Sequence, residues 1–142
     1  MSNSKVVVHL SGGLGNQLFQ YMAGVGLAET TNRELFINTN WFSNPLSRNR
    51  NNSAYLVKRK LDILQFSSVK AIKIERLNIL RDGRFERVLQ QLDESIKRKI
   101  GIASEESFED GQWLLPNNIG RLVGHFMSPK FFLTSSTLGK FQ

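Results

Sequence analysis

The apolar pattern opens with Val6-Val7-Val8, continued by His9 and Leu10. An unbroken β-branched run predicts a strand over Lys5–Leu10, buried on both faces as in the centre of a parallel sheet. The period then changes. Leu18, Met22 and Val25 fall on one helical line, and Phe19, Ala23 and Gly26 on the next. This spacing predicts a helix from about Asn16 to Thr30, with Asn16 as its cap. Ala23, Gly24, Gly26 and Ala28 keep one helix face small, so it can lie close to a sheet despite a penalty of ~1 kcal/mol per glycine. Thr30-Thr31-Asn32 supplies the stop, because Asn32 tolerates left-handed dihedrals. Leu35-Phe36-Ile37, within Glu34–Asn38, predicts a second strand and a right-handed strand–helix–strand unit.

Beyond Asn38 the pattern is weaker. Residues 41–55 are mostly polar and read as a long loop, either mobile or functional. Arg48 and Arg50 in it could face a phosphate or an acceptor glycan, or simply solvent. Val69, Ala71, Ile72 and Ile74 alternate in part and suggest a strand or edge segment, and Asp82-Gly83 is a turn signal. Phe85, Val88, Leu89, Leu92, Ile96 and Ile100 predict an amphipathic helix over 84–100. Lys97-Arg98-Lys99 lies in its last turn, where cations favour the negative helix end, and Gly101 stops it. Residues 103–120 read as connection, acidic at Glu105, Glu106, Glu109 and Asp110. Arg121–Phe126 reads as another strand. The order of elements predicts an α/β fold, a parallel sheet with flanking helices, in a single domain over 1–142.

Between the first strand and the first helix lies Ser11-Gly12-Gly13-Leu14-Gly15-Asn16-Gln17. A glycine-rich turn there aims backbone N–H groups and the positive helix end at one point, where anions and above all phosphates bind. A tight turn without a ligand would use the same glycines. Two phosphate signatures do not fit. A P-loop needs a lysine, and none lies between Ser11 and Glu34. A dinucleotide fingerprint starting at Gly13 needs glycine where Leu18 stands. The end of the second strand offers Asn38-Thr39-Asn40 in place of a ribose-binding carboxylate.

Composition narrows the classes. With 142 residues, 40% of them hydrophobic, the chain can bury one modest core. It has no cysteine, which excludes disulfides and thiolate metal sites and suits a cytoplasmic location. No apolar run approaches the ~20 residues of a membrane span, and no signal peptide is recognisable. The net charge is +7, from 19 basic and 12 acidic residues. Acids are dispersed among the basic residues from Arg48 to Lys140, and no RNA-recognition signature is present, so nucleic acid is not the expected partner. The same field would draw a nucleotide-sugar diphosphate, or an anionic membrane surface with peripheral association.

Gly12-Gly13-Leu14-Gly15-Asn16-Gln17-Leu18-Phe19-Gln20-Tyr21, continued by Ala23-Gly24 and Leu27-Ala28, resembles the N-terminal signature of glycosyltransferase family 11, the α-1,2-fucosyltransferases. A related Gly-x-x-Gly-Asn-Gln element occurs in protein O-fucosyltransferases. Two weaker echoes follow, at 58–66 and at 122–132. The second keeps Gly124, Phe126, Ser128, Lys130 and Phe132 and departs at His125, Met127 and Phe131. The resemblance implies the N-terminal half of a two-domain, GT-B-like glycosyltransferase, and with it a Rossmann-like form of the parallel sheet. It implies transfer of fucose from GDP-fucose to the 2-hydroxyl of a galactoside, with inversion and with no obligatory metal or other cofactor. On this resemblance Gly12, Gly13 and Gly15 shape the donor loop. Asn16 contacts the sugar-phosphate region, and Gln17 does the same or holds the loop.

The family's His-x-Arg-x-Gly-Asp motif is absent. The two histidines are His9 and His125, and neither begins it. Catalytic residues are therefore unassigned, and His125 reads as structural before it reads as a base. The resemblance thus implies a truncated transferase, inactive by itself. Two other classes stay open: a non-catalytic nucleotide- or glycan-binding domain, and a basic nucleic-acid-binding protein.

Overall fold

The computed structural model describes residues 4–43, 62–65, 73–75, 88–89 and 91–132. Seven strands are present among them: β1 (Lys5–His9), β2 (Glu34–Asn38), β3 (Lys73–Ile74), β4 (Ile102–Ala103), β5 (Phe108–Glu109), β6 (Gln112–Trp113) and β7 (Arg121–Leu122). The helices α1 (Leu14–Thr30) and α2 (Glu94–Ile100) accompany them, and residues 88–89 and 91 are helical as well. Five strands form a sheet in the order β3-β2-β1-β7-β4, with every pairing parallel. The protein is thus α/β, and the valine run is its central strand as expected. Val6, Val7 and Val8 are all buried because β1 has a neighbour on each edge and apolar side chains on each face.

The register sorts the two faces. Val6 and Val8, with Ile37, Ala103 and Leu122, turn to the side that α1 covers and join the main core. The small helix face does what its composition suggests: a Cβ on Gly24 would lie 2.9 Å from Leu35 Cδ1 and 3.0 Å from Val8 Cγ1. Helix and sheet therefore touch almost backbone to side chain. On the other side a smaller cluster of Leu89, Ile102 and Val123 forms, with Leu92 packed against it.

Three expectations are corrected. First, 84–100 is not one continuous helix in its described part. The chain breaks at Leu92–Asp93, and Asp93 is extended (φ −60°, ψ 142°) before α2 begins. The break resets the helical phase, so Ile96 and Ile100 are exposed (45% and 56%). Lys97 turns inward instead, its charge held by Glu94 at 2.9 Å. Gly101 does end α2, at φ +82°. Second, 103–120 is more than connection. Asp110 and Gly111, at φ +50° and +77°, make a two-residue hairpin turn between β5 and β6. Phe108 and Trp113 from that hairpin pack edge-to-face at 5.1 Å and join Phe126 and Phe131 in one aromatic group. Third, β7 is shorter than 121–126, and it takes the place beside β1 that the fourth strand holds in the dinucleotide-binding order; β4 lies at the sheet edge. Arg48, Arg50, residues 58–61, the Asp82-Gly83 turn and residues 84–87 lie outside the described residues.

Candidate functional site

The chain leaves β1 between two neighbours whose connections run in opposite directions, β2 on one side and β7 on the other. Such a switch point leaves a crevice beyond the carboxyl ends of the strands. The glycine-rich turn sits there. Gly12 adopts φ +75°, and a Cβ on it would come within 2.6 Å of Asn16 Nδ2, so both backbone and space call for glycine. Gly13 is extended and caps α1 with no side-chain bond. The helix therefore starts at Leu14, and Asn16 lies inside the first turn; it is not the cap. The first helical bond runs from Gln17 N to Gly13 O (3.0 Å). The amides of Leu14, Gly15 and Asn16 precede it and have no acceptor within the helix. Gly15 is exposed, with nothing within 4 Å of an added Cβ. The first turn carries no acid. The result is a partly open set of bare amides at the positive end of a helix.

Two glutamines hold this turn from behind. Gln17 is fully buried; its Nε2 donates to Gly12 O (3.0 Å) and its Oε1 accepts from Ile63 N (3.1 Å). Of the two roles considered for Gln17, the geometry supports holding the loop. Gln20 is also buried. Its Oε1 accepts from Ser11 N (2.8 Å), and its Nε2 donates to Ser11 Oγ (2.9 Å) and to Gly124 O (2.9 Å). That last bond ties the turn after β1 to the loop after β7. In that loop the His125 side chain is exposed, while its backbone N–H and that of Phe126 donate to Glu105 Oε1.

A second polar group crosses four strand ends on the face away from α1. Arg121 Nη1 donates to His9 Nε2 (3.0 Å) and to Glu75 Oε2 (2.7 Å), and its Nη2 reaches Glu75 Oε1. Asn38 Nδ2 donates to Glu75 Oε2 (3.0 Å). A guanidinium can only donate, so in this contact His9 Nε2 stands as the acceptor. The end of β2 thus does meet a carboxylate, brought from β3. It faces the fold, however, with Glu75 buried and bonded to Arg121 and Asn38.

Burial pushes the Glu75 carboxyl up, but the bonds from Arg121 and Asn38 and the charge of Arg121 outweigh it and hold it below the ordinary carboxylate value. Glu105 follows the same logic: burial raises it, and the N–H groups of Phe126, of Glu105 itself and of His125 lower it further than burial lifts it. Both carboxyls bind protons more weakly folded than unfolded. Their stabilisation is therefore complete above the ordinary glutamate value of about 4.3 and is lost as pH falls through the depressed folded values. Thermal unfolding should show Tm falling steadily from about pH 5 downward, and less steeply in Glu105→Gln. Equal acid slopes in the two proteins would contradict the assignment for Glu105.

A cleft of about 990 Å3 lies at the opposite, amino end of the strands, lined in part by Arg33, Arg98, Lys99 and Asn118. It is a poorer anion site. The C-terminal ends of both helices border it, and the Arg33 guanidinium is engaged with the carbonyls of Ile119 (2.6 Å) and Pro116 (2.9 Å). Among the described residues no three His, Asp or Glu side chains gather as metal ligands would, and no helix is long and apolar enough to cross a membrane.

Compared with models of protein families, with curated proteins and with solved structures, the chain matches none of them.

Sequence spacing locates the turn and two of its formers, Gly12 and Gly13, whereas Gly15 lies in the first turn of α1 with no neighbour within 4 Å of an added Cβ and is not required for the shape of the turn. It misses Gln20 as a tie to Gly124, and it misses the Arg121–Glu75 pair. One signal for the second is present: His9 and Asn38 are polar residues that directly follow the apolar runs Val6–Val8 and Leu35–Ile37 and are buried, and such positions ask for partners.

Proposed function

We propose that this chain binds a nucleoside diphosphate sugar, GDP-fucose on the strength of its glycine-rich signature, as the donor-side, GT-B-like domain of an α-1,2-fucosyltransferase-like protein. The observation that carries the proposal is the partly open turn at the switch point, with three amides that lack helical acceptors. A diphosphate seated there would accept from Leu14, Gly15 and Asn16 and lie on the positive end of α1. Gly12 and Gly13 let the backbone approach, the Asn16 side chain stands beside the seat, and Gln17 keeps the loop in shape. The sequence holds no His-x-Arg-x-Gly-Asp, so no residue of it is assigned a catalytic role; a galactoside acceptor enters only through the resemblance. A binding domain without catalysis would use the same seat.

Calorimetric titration separates this from a turn without a ligand. GDP should bind and guanosine should not, because the affinity resides in charge-assisted bonds to phosphate. Equal, negligible heats for GDP and guanosine would refute the proposal. Binding of short RNA that weakens steeply with salt, with no response to GDP, would point to the basic nucleic-acid binder instead.

A further inference from the structure

The loop after β7 contains an anion hole of its own, and it is filled. Phe126, a bulky residue, adopts φ +53°. A left-handed residue following one in another conformation turns successive N–H groups to the same side, which makes a small concavity for an anion. Here the N–H groups of His125 and Phe126 (2.9 Å for the latter) converge on a single atom, Glu105 Oε1. Glu105 arrives from a different strand end, the short 3-10 turn after β4. Gly124 admits it: a Cβ there would lie 2.7 Å from Oε1. The loop also adjoins the glycine turn, since one nitrogen, Gln20 Nε2, is 2.9 Å from both Ser11 Oγ and Gly124 O.

We propose that the His125 and Phe126 amides are a second anion seat beside the glycine turn, and that the Glu105 carboxylate is its resident occupant, which the second phosphoryl group of an incoming diphosphate displaces. The competition rests on the reading of the glycine turn as a phosphate seat; the existence of the second seat does not. A ligand with one phosphoryl group uses the turn alone and leaves Glu105 in place. A ligand with two must compete with a charged acceptor already bonded to both amides. Glu105 thereby weakens diphosphate binding more than monophosphate binding and acts as a built-in competitor.

The test is titration of the whole chain with inorganic phosphate and with pyrophosphate, followed by backbone amide shifts, in wild type, Glu105→Ala and Glu105→Gln. In Glu105→Ala, pyrophosphate should move the amides of residues 125 and 126 as well as those of 14–16. It should also bind about tenfold tighter than to wild type, the scale of one charged hydrogen bond. Phosphate affinity should change much less. Glu105→Gln keeps the shape and a neutral acceptor and should fall between, so it carries the comparison if Glu105→Ala loses its fold. Amides 125 and 126 that stay still in both variants, with pyrophosphate affinity as in wild type, would overturn the second seat. Amides 14–16 that stay still in all three proteins would sink the glycine-turn reading. A response at 125 and 126 would still uphold the second seat in that case.

Discussion

Arg121→Met is expected to lower the free energy of unfolding by about 3 kcal/mol, the low end for leaving a buried charge without its partner, because Glu75 is buried while Arg121 is partly exposed. Glu75 would remain buried, with Asn38 as its side-chain donor among the described residues. His9 would lose the guanidinium at its Nε2. Urea unfolding of wild type and variant measures the loss. The double variant Arg121→Met/Glu75→Leu should recover most of it, because an apolar pair of similar volume often matches a buried ion pair in stability. A single variant within about 0.5 kcal/mol of wild type would show that the pair is solvated and contributes little.

Gly12→Val is expected to abolish GDP binding within the range of a titration while leaving a folded, weakened protein. The backbone at φ +75° costs a side-chain-bearing residue roughly 1–2 kcal/mol, and the new Cβ would collide with Asn16 Nδ2 at 2.6 Å. Relief of that contact moves Asn16, and with it the first turn of α1. Gly15→Ala is the control. It meets no neighbour within 4 Å and lies in the helix, so it should stabilise by about 0.4–1 kcal/mol. Its methyl group stands on the open side of the turn, so GDP should bind it less tightly. Stability moving in opposite directions in two variants that both weaken binding would separate the seat from the fold. Full GDP binding by Gly12→Val would count against the seat.

The elements with their own local period are legible from sequence. β1, α1 and β2 follow from three valines, a helical row of small residues and Leu35-Phe36-Ile37, and each lies within a residue or two of its expected bounds. The helix start is displaced because Gly13, itself a common N-cap residue, caps the helix without a side-chain bond, ahead of the Asn16 that a side-chain cap would favour. The break at Leu92–Asp93 is not legible: the apolar spacing runs through it to Ile96 and Ile100. What decides it is tertiary, the Glu94–Lys97 pair turned inward beside Ser104, whose Oγ donates to Glu94. The hairpin at Asp110-Gly111 is signalled by its dipeptide, which a reading centred on acidic character passes over. The insertion of β7 between β1 and β4 depends on pairing of strands far apart in the chain, as does most of the site's support. Gln20 meets Gly124 across 104 positions, and Arg121 meets His9 across 112. Local pattern carries the glycine-rich turn itself, whereas the ties that hold it in place are long-range and appear only in the folded chain.

Amide-resolved titration of the wild-type chain with GDP tests the central claim most directly. The predicted result is a saturable shift confined to the amides of residues 12–16 and their neighbours at 124–126, with the amino-end residues Arg33, Arg98 and Asn118 unmoved. Saturable shifts gathered around Arg33, Arg98 and Asn118, with residues 12–16 silent, would contradict it.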